Sequence, residues 1–423
     1  MRSVSGVLPA VRGRLPGLMI GAVMAMVSVA AAKAAEPAAE PLRIPVHVFA
    51  GTPRGPFQTG TFEELWIDSA RDENTTSDPA DKRHLMVQIW YPAAFKGDPP
   101  RAAYALHRDL YPHDEDASWM DDAAAVRTTS VLNAPLAANP VPFPVLLYNP
   151  GGGHPPFSGT AQTEYLASHG YVVVAIGHTG LTRIERFPDG YVYKPDVNDA
   201  EVSDGEAKGM TETERFRLQV KRYAERMMPV QVQDIRFVLD RLQAMNGDRR
   251  SRFHQRLDLD KVGSLGWSLG GALSLQATRD EPRVKAGVNL DGWLYTDVSE
   301  TGTHRPIMQM HGAGLPSSDL ERSAADHELA TVADTRTWSL YAKTDADWYD
   351  LTLNGAEHGH FADRTLFERI DVALMHPRLA HDIVNRFTLE FFDKYLRGAT
   401  ETPLLSQKQV YPETTLLKSG AKK

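Results

Sequence analysis

The hexapeptide Gly266-Trp267-Ser268-Leu269-Gly270-Gly271 stands between an apolar β-type run, Val262 to Leu265, and a helix-like run that opens with Ala272-Leu273-Ser274. A strand that turns sharply into a helix needs glycine beside the turn residue, because side chains there would collide with neighbouring backbone. Such a turn holds Ser268 in a strained conformation and lifts its hydroxyl above the edge of a sheet. G-x-S-x-G is a short pattern, and its weight here comes from the strand before it and the helix after it.

The surrounding chain supplies the sheet. A strand at Val145 to Tyr148, a helix over Thr160 to Ser168 and a strand at Tyr171 to Ile176 precede the turn, with Leu85 to Tyr91 a further β-type run stopped by Pro92. Strands follow at Ala286 to Leu290, Ile307 to His311 and Trp348 to Leu353, and a last amphipathic helix covers about Arg378 to Leu396. Strands alternating with helical segments imply an α/β fold, with a mostly parallel central sheet flanked by crossover helices. A long helical pattern from Thr211 to Met245 is expected to break at Pro229.

The organisation expected is a signal peptide over 1–34, an N-terminal wrapping segment over 35–80, a catalytic domain over 81–400 and a C-terminal tail over 401–423. Arg2, Arg12 and Arg14 precede an apolar stretch from Leu15 to Ala32 and then small residues, the pattern of an exported chain destined for the periplasm or the medium. Two insertions are expected, a long irregular one over about 94–142 and a polar, lid-like one over 179–210.

Removing the leader, with four cations and no acid, takes the formal charge from -8 to -12, which makes the mature chain a poor partner for nucleic acid. The chain has no cysteine, which excludes disulfides, thiolate catalysis, cysteine-based zinc sites and a lipoprotein anchor.

A serine hydroxyl needs a base, and the base needs an acid to fix its tautomer. The base is expected late in the chain, in the loop after the Trp348 to Leu353 strand. His358 is the choice there, with His360 its rival two residues on. Asp291, at the end of the Ala286 to Leu290 strand and before Gly292, is the expected acid. Asp319, Asp345 and Asp347 are alternatives. Two backbone N–H groups should receive the developing oxyanion. One is that of Leu269, and the other comes from the loop Asn149-Pro150-Gly151-Gly152-Gly153-His154, with Gly152 the expected donor. Trp267, Trp293, Phe157 and Phe361 are candidates for an apolar substrate pocket, although aromatic side chains serve more often as core.

These residues bring out a family resemblance. The segments Asp68-Ser69-Ala70-Arg71, Leu85 to Pro92, Phe143 to Tyr148, Leu166 to Val173, the serine turn, Leu290-Asp291-Gly292-Trp293 and His358 to Asp363 resemble the plasma-type platelet-activating factor acetylhydrolase-like α/β hydrolases. The resemblance spans most of residues 55 to 395. It implies the α/β-hydrolase fold and supports Ser268, Asp291 and His358 as catalytic residues. In particular, the family's H-x-x-F-x-D pattern reads His358-Gly359-His360-Phe361-Ala362-Asp363 here and favours His358 over His360. It also implies Gly152 and Leu269 as oxyanion donors. Two departures alter the pocket wall: Asn149-Pro150-Gly151 replaces the family's Ser-His-Gly, and Gly266-Trp267-Ser268 its Gly-His-Ser.

The function expected is hydrolysis of carboxylic esters with short-chain or phospholipid-type acyl groups, through an acyl-enzyme and without a cofactor. The partners expected are a small-molecule or lipid ester and, at most peripherally, a membrane. The alternatives are amide, peptide or polyester cleavage on the same residues, or a non-catalytic envelope module that binds a lipid or protein. A metal site built from His358, His360, Asp363 and His154 is disfavoured, because no H-E-x-x-H pattern or cysteine supports it.

Overall fold

A computed structural model describes residues 55–420 apart from 114–117, 196–201, 204, 314–323 and 368–373. The expected signal peptide, the first part of the wrapping segment and Asp319 lie outside the described residues, as does part of the lid-like insertion. Among the described residues no helix is long and apolar enough to cross a membrane.

The chain has the α/β-hydrolase fold, built on one sheet of 11 strands in the order β11-β10-β9-β8-β7-β5-β6-β2-β1-β4-β3. Its centre is the parallel run of β6 (Val172–His178), β5 (Phe143–Asn149), β7 (Leu257–Trp267), β8 (Val284–Leu290), β9 (Ile307–Gly312) and β10 (Trp348–Leu353). β5 and β6 are buried along their whole length, which is why their sequences are almost continuously apolar rather than alternating. Fully burying one such Val or Leu contributes about 1.5–3 kcal/mol.

Both ends of the described chain extend this sheet. β1 (Gln58–Asp72) pairs antiparallel with β2 (Lys82–Ala93) along nearly its full length, so the segment expected to wrap the domain supplies one of its long strands. β11 (Thr414–Lys418), inside the expected tail, pairs antiparallel with β10 and forms the sheet's edge. The insertion after β2 adds β3 (Arg101–Ala103) and β4 (Arg127–Leu132) at the opposite edge.

Helices cover both faces. Thr160–Ser168 and Pro377–Arg397 have the bounds expected to within a residue. The long helical pattern divides into Glu212–Arg222, opened by a Thr211/Glu214 capping box, and Met228–Gly247. A π-helical turn, Tyr223–Met227, joins them. Pro229 therefore does not end the helix: it sits in the first turn of Met228–Gly247, where a missing N–H is tolerated, and the widened turn just before it absorbs the ring.

Candidate active site

β7 ends at Trp267 and the helix Leu269–Asp280 begins one residue after Ser268, so Ser268 is the turn itself. It adopts φ 56° and ψ -125°, a left-handed conformation that a non-glycine residue takes only when its surroundings impose it. The glycines permit this. A Cβ on Gly266 would lie 2.4 Å from the Gly270 carbonyl oxygen, and one on Gly270 would lie 2.0 Å from that of Asn149. The turn and the end of β5 are thus pressed backbone to backbone.

Asp291 follows β8, also at positive φ, 56°. Its N–H donates to the Met310 carbonyl oxygen at 2.9 Å, and its Oδ1 accepts the Gly312 N–H at 3.0 Å, so the neighbouring strand β9 fixes both backbone and carboxylate. Oδ2 lies 2.7 Å from Nδ1 of His358. Nε2 of His358 is buried and has no hydrogen-bond partner among the described residues. The pair is therefore arranged as an acid that orients an imidazole and leaves its second nitrogen unused by the described residues.

His358 begins the short helical turn His358–Phe361 after β10. His360, its rival, is committed elsewhere: Nδ1 accepts the Glu357 N–H at 3.0 Å and Nε2 lies 2.8 Å from the Met375 carbonyl oxygen. Asp363 closes the same loop. Its carboxyl accepts the Ala161 N–H and the Tyr104 hydroxyl, which ties the histidine loop to the start of the helix Thr160–Ser168. Burial pushes the Asp363 pKa well above the usual carboxyl range. Among the described residues no cluster of three His, Cys, Asp or Glu side chains is placed to hold a metal.

The two candidate oxyanion donors begin on different elements. Leu269 is the first residue of its helix, where N–H groups have no intrahelical acceptor. In the loop after β5, Gly153 N–H donates to the Leu181 carbonyl oxygen and His154 N–H to that of Gly151, whereas Gly152 N–H has no acceptor among the described residues. The Gly152 carbonyl oxygen lies 2.9 Å from His154 Nδ1. Burial takes the His154 pKa down to about 4, so its ring is neutral at pH 7 and donates this proton, which helps set the plane of the adjoining peptide.

The four aromatic candidates separate. Trp267 is buried between two imidazoles, with ring centroids 4.6 Å from His154 and 4.9 Å from His358, and its indole N–H donates to the His358 carbonyl oxygen at 3.0 Å. It braces the candidate base. Phe157 lies in the core, edge-on to Tyr104 and Tyr111, and Phe361 is buried in the same cluster. Trp293 lines a cavity of about 450 Å³ together with Val220, Tyr295 and Ala333, and Ser268 is not part of its lining.

Sequence reasoning missed the buried polar network at the start of the candidate oxyanion loop. Asn149, His178 and Asp234 are each fully buried and hydrogen-bonded in a row, although they lie on three separate elements. A polar residue at the end of each of two wholly apolar strands, Asn149 on β5 and His178 on β6, was the available signal.

With this geometry in view, comparisons with known proteins agree on esterases. The PET hydrolase-like family model matches residues 228–312, which include the serine turn and Asp291. A probable 1-alkyl-2-acetylglycerophosphocholine esterase of Arthroderma benhamiae is 25% identical over 88% of this chain and 95% of its own length. The platelet-activating factor acetylhydrolase of Cavia porcellus is 24% identical, but the match covers 64% of this chain and 62% of that protein. Among solved structures, the ferulic acid esterase of Streptomyces cinnamoneus superposes with a TM-score of 0.60 at 26% identity, covering 87% of this chain and 98% of that one. The resemblance to platelet-activating factor acetylhydrolase-like α/β hydrolases, read first from short motifs, therefore extends along most of the chain.

Proposed function

We propose that this protein, a carboxylic ester hydrolase by its similarity to named esterases, acts through Ser268, His358 and Asp291. Ser268 Oγ attacks the ester carbonyl while His358 Nε2 takes its proton. The N–H groups of Leu269 and Gly152 receive the oxyanion. His358 then protonates the leaving alkoxide, and water, activated by the same nitrogen, releases the acid from the acyl-enzyme. Asp291 keeps the tautomer and stabilises the imidazolium. Each oxyanion donor is worth about 3–4 kcal/mol of transition-state stabilisation. The observation that carries this reading is the 2.7 Å contact of His358 Nδ1 with Asp291, with Nε2 left without a hydrogen-bond partner among the described residues.

The substrates are small or phospholipid-type esters with a short acyl chain, in keeping with the two acetyl-ester hydrolases among the relatives. A second reading, polyester cleavage on the same residues, is favoured by the PET hydrolase-like match across the serine turn. Residues 81–400 act as one catalytic domain, its sheet completed by β1 and β11, in a chain that is exported and whose membrane contact, if any, is peripheral. No cofactor takes part.

The test is turnover of p-nitrophenyl acetate, butyrate and octanoate, with and without a chelator. Turnover that falls with acyl length and is unchanged by the chelator supports the reading. No turnover of any ester, or activity abolished by the chelator, overturns it.

A further inference from the structure

His178 ends β6 with both ring nitrogens engaged and no exposure to solvent. Nδ1 lies 2.9 Å from Asp234 Oδ2, and Nε2 lies 3.1 Å from the side-chain oxygen of Asn149. The Asn149 amide cannot be turned round to change this. Its nitrogen faces Ser264 Oγ at 3.1 Å, Ser274 Oγ at 2.9 Å and the Leu265 carbonyl oxygen at 3.4 Å. Turned round, its oxygen could accept only from Ser264, while facing the Leu265 carbonyl oxygen, which cannot donate, and Ser274, whose proton is already given to the Gly270 carbonyl oxygen at 2.8 Å. The side chain must therefore present its amide hydrogens to that side and its oxygen to His178. Both nitrogens of His178 consequently face acceptors. A neutral ring carries one proton and would set a lone pair against one of them.

The charges around the ring ask for the same proton. Asp234, on the helix Met228–Gly247, accepts from Arg83 on β2 and from Arg71 on β1. Arg83 also donates to Glu73, and Arg71 to Asp68. Three carboxylates thus meet two guanidinium groups, and a cationic His178 balances the cluster. Burial and the charges of Arg83 and Arg71 push the His178 pKa down while Asp234 pulls it up, with a net shift downward. The fixed acceptors on both sides oppose that shift.

Asn149 is where this network meets the site. It is the last residue of β5, and its backbone oxygen is the atom against which Gly270 of the serine turn is pressed. We propose that His178 is a positioning residue, held as a buried imidazolium between Asp234 and Asn149, which fixes the start of the Asn149-Pro150-Gly151-Gly152 loop against the serine turn. The proposal rests on the reading of that loop as an oxyanion donor.

The decisive measurement is nitrogen-15 NMR of histidine-labelled full-length protein at pH 7, with His178 assigned through its contact with the Asn149 side-chain amide. Protons on both Nδ1 and Nε2 are expected. A ring nitrogen without a proton overturns the proposal. A kinetic cycle with p-nitrophenyl acetate tests the route through Asn149. His178→Gln should lower kcat on the order of a hundredfold, as expected of a displacement near 1 Å at the reacting centre, with KM changed less than about threefold. In an Asn149→Ala background the same substitution should cost nothing further, and additive losses overturn the route. A wild-type protein without esterase activity counts against the proposed function instead, and leaves the NMR result to stand or fall alone.

Discussion

The carboxylate of Asp291 is divided between two partners: Oδ2 faces Nδ1 of His358 at 2.7 Å, and Oδ1 accepts the Gly312 N–H at 3.0 Å. Because β9 holds the second oxygen, the first is presented to the imidazole at a fixed angle. Asp291→Asn would keep the shape and lose the charge, and its amide would favour the wrong imidazole tautomer. We expect kcat to fall by about 10⁴-fold with the thermal midpoint nearly unchanged. A loss below about tenfold would mean that Asp291 does not orient the base.

His358 and His360 should separate by kind of damage. His358→Ala removes the proposed base, and activity should fall roughly 10⁴-fold or more while the fold survives. His360→Ala strips the Glu357 N–H and the Met375 carbonyl oxygen of their partner. The Met375 carbonyl oxygen, on a buried residue, costs about 1–3 kcal/mol when left unpaired, so this variant should melt earlier and keep most of its turnover. Kinetics and melting curves of the two purified variants decide the matter, and the reverse ranking would assign the base to His360.

The candidate site was legible in the sequence wherever its residues are grouped locally. The serine turn announces itself within six residues, Asp291 stands at the end of an apolar strand, and one loop holds both candidate histidines. The structure adds what separates those histidines, since the partners of His360 lie on Glu357 and Met375. Long-range relations were not legible. β1 carries polar residues through much of its length, and its place in the sheet is set by pairing with β2 rather than by its own pattern. β11 is short and recognisable only beside β10. Trp267 reads as a pocket residue by composition, whereas its two neighbouring imidazoles, at positions 154 and 358, come from distant loops.

Gly270 marks where the serine turn touches the loop proposed to supply the second oxyanion donor. A Cβ there would lie 2.0 Å from the Asn149 oxygen and 2.4 Å from that of Pro150, both backbone atoms that cannot rotate away. Gly270→Ala should therefore displace the loop and lower kcat/KM on the order of a hundredfold or more. Activity equal to wild type would show that the loop's position does not matter.

Glu63 on β1 is buried, its Oε1 has no hydrogen-bond partner among the described residues, and burial, reinforced by the nearby charge of Asp109, pushes its pKa up to about 8. The folded chain keeps this carboxyl protonated while the unfolded chain releases the proton above its ordinary pKa of 4.5. Its contribution to stability should thus be intact below pH 4.5, decline as pH rises from 4.5 to about 8, and level off above that. Glu63→Gln removes the titration. Its stability relative to wild type should grow across that window, by a few kcal/mol in order of magnitude, as read from urea unfolding at pH 5, 7 and 9. A difference that does not change with pH would rule out the assignment.

The proposed catalytic role of Ser268 is open to one direct measurement, reaction of the folded protein with a fluorophosphonate probe followed by mapping of the labelled residue. Stoichiometric label on Ser268, lost in Ser268→Ala together with turnover while the melting temperature holds, is the predicted result. Label on another residue, or full esterase activity in Ser268→Ala, would contradict the account.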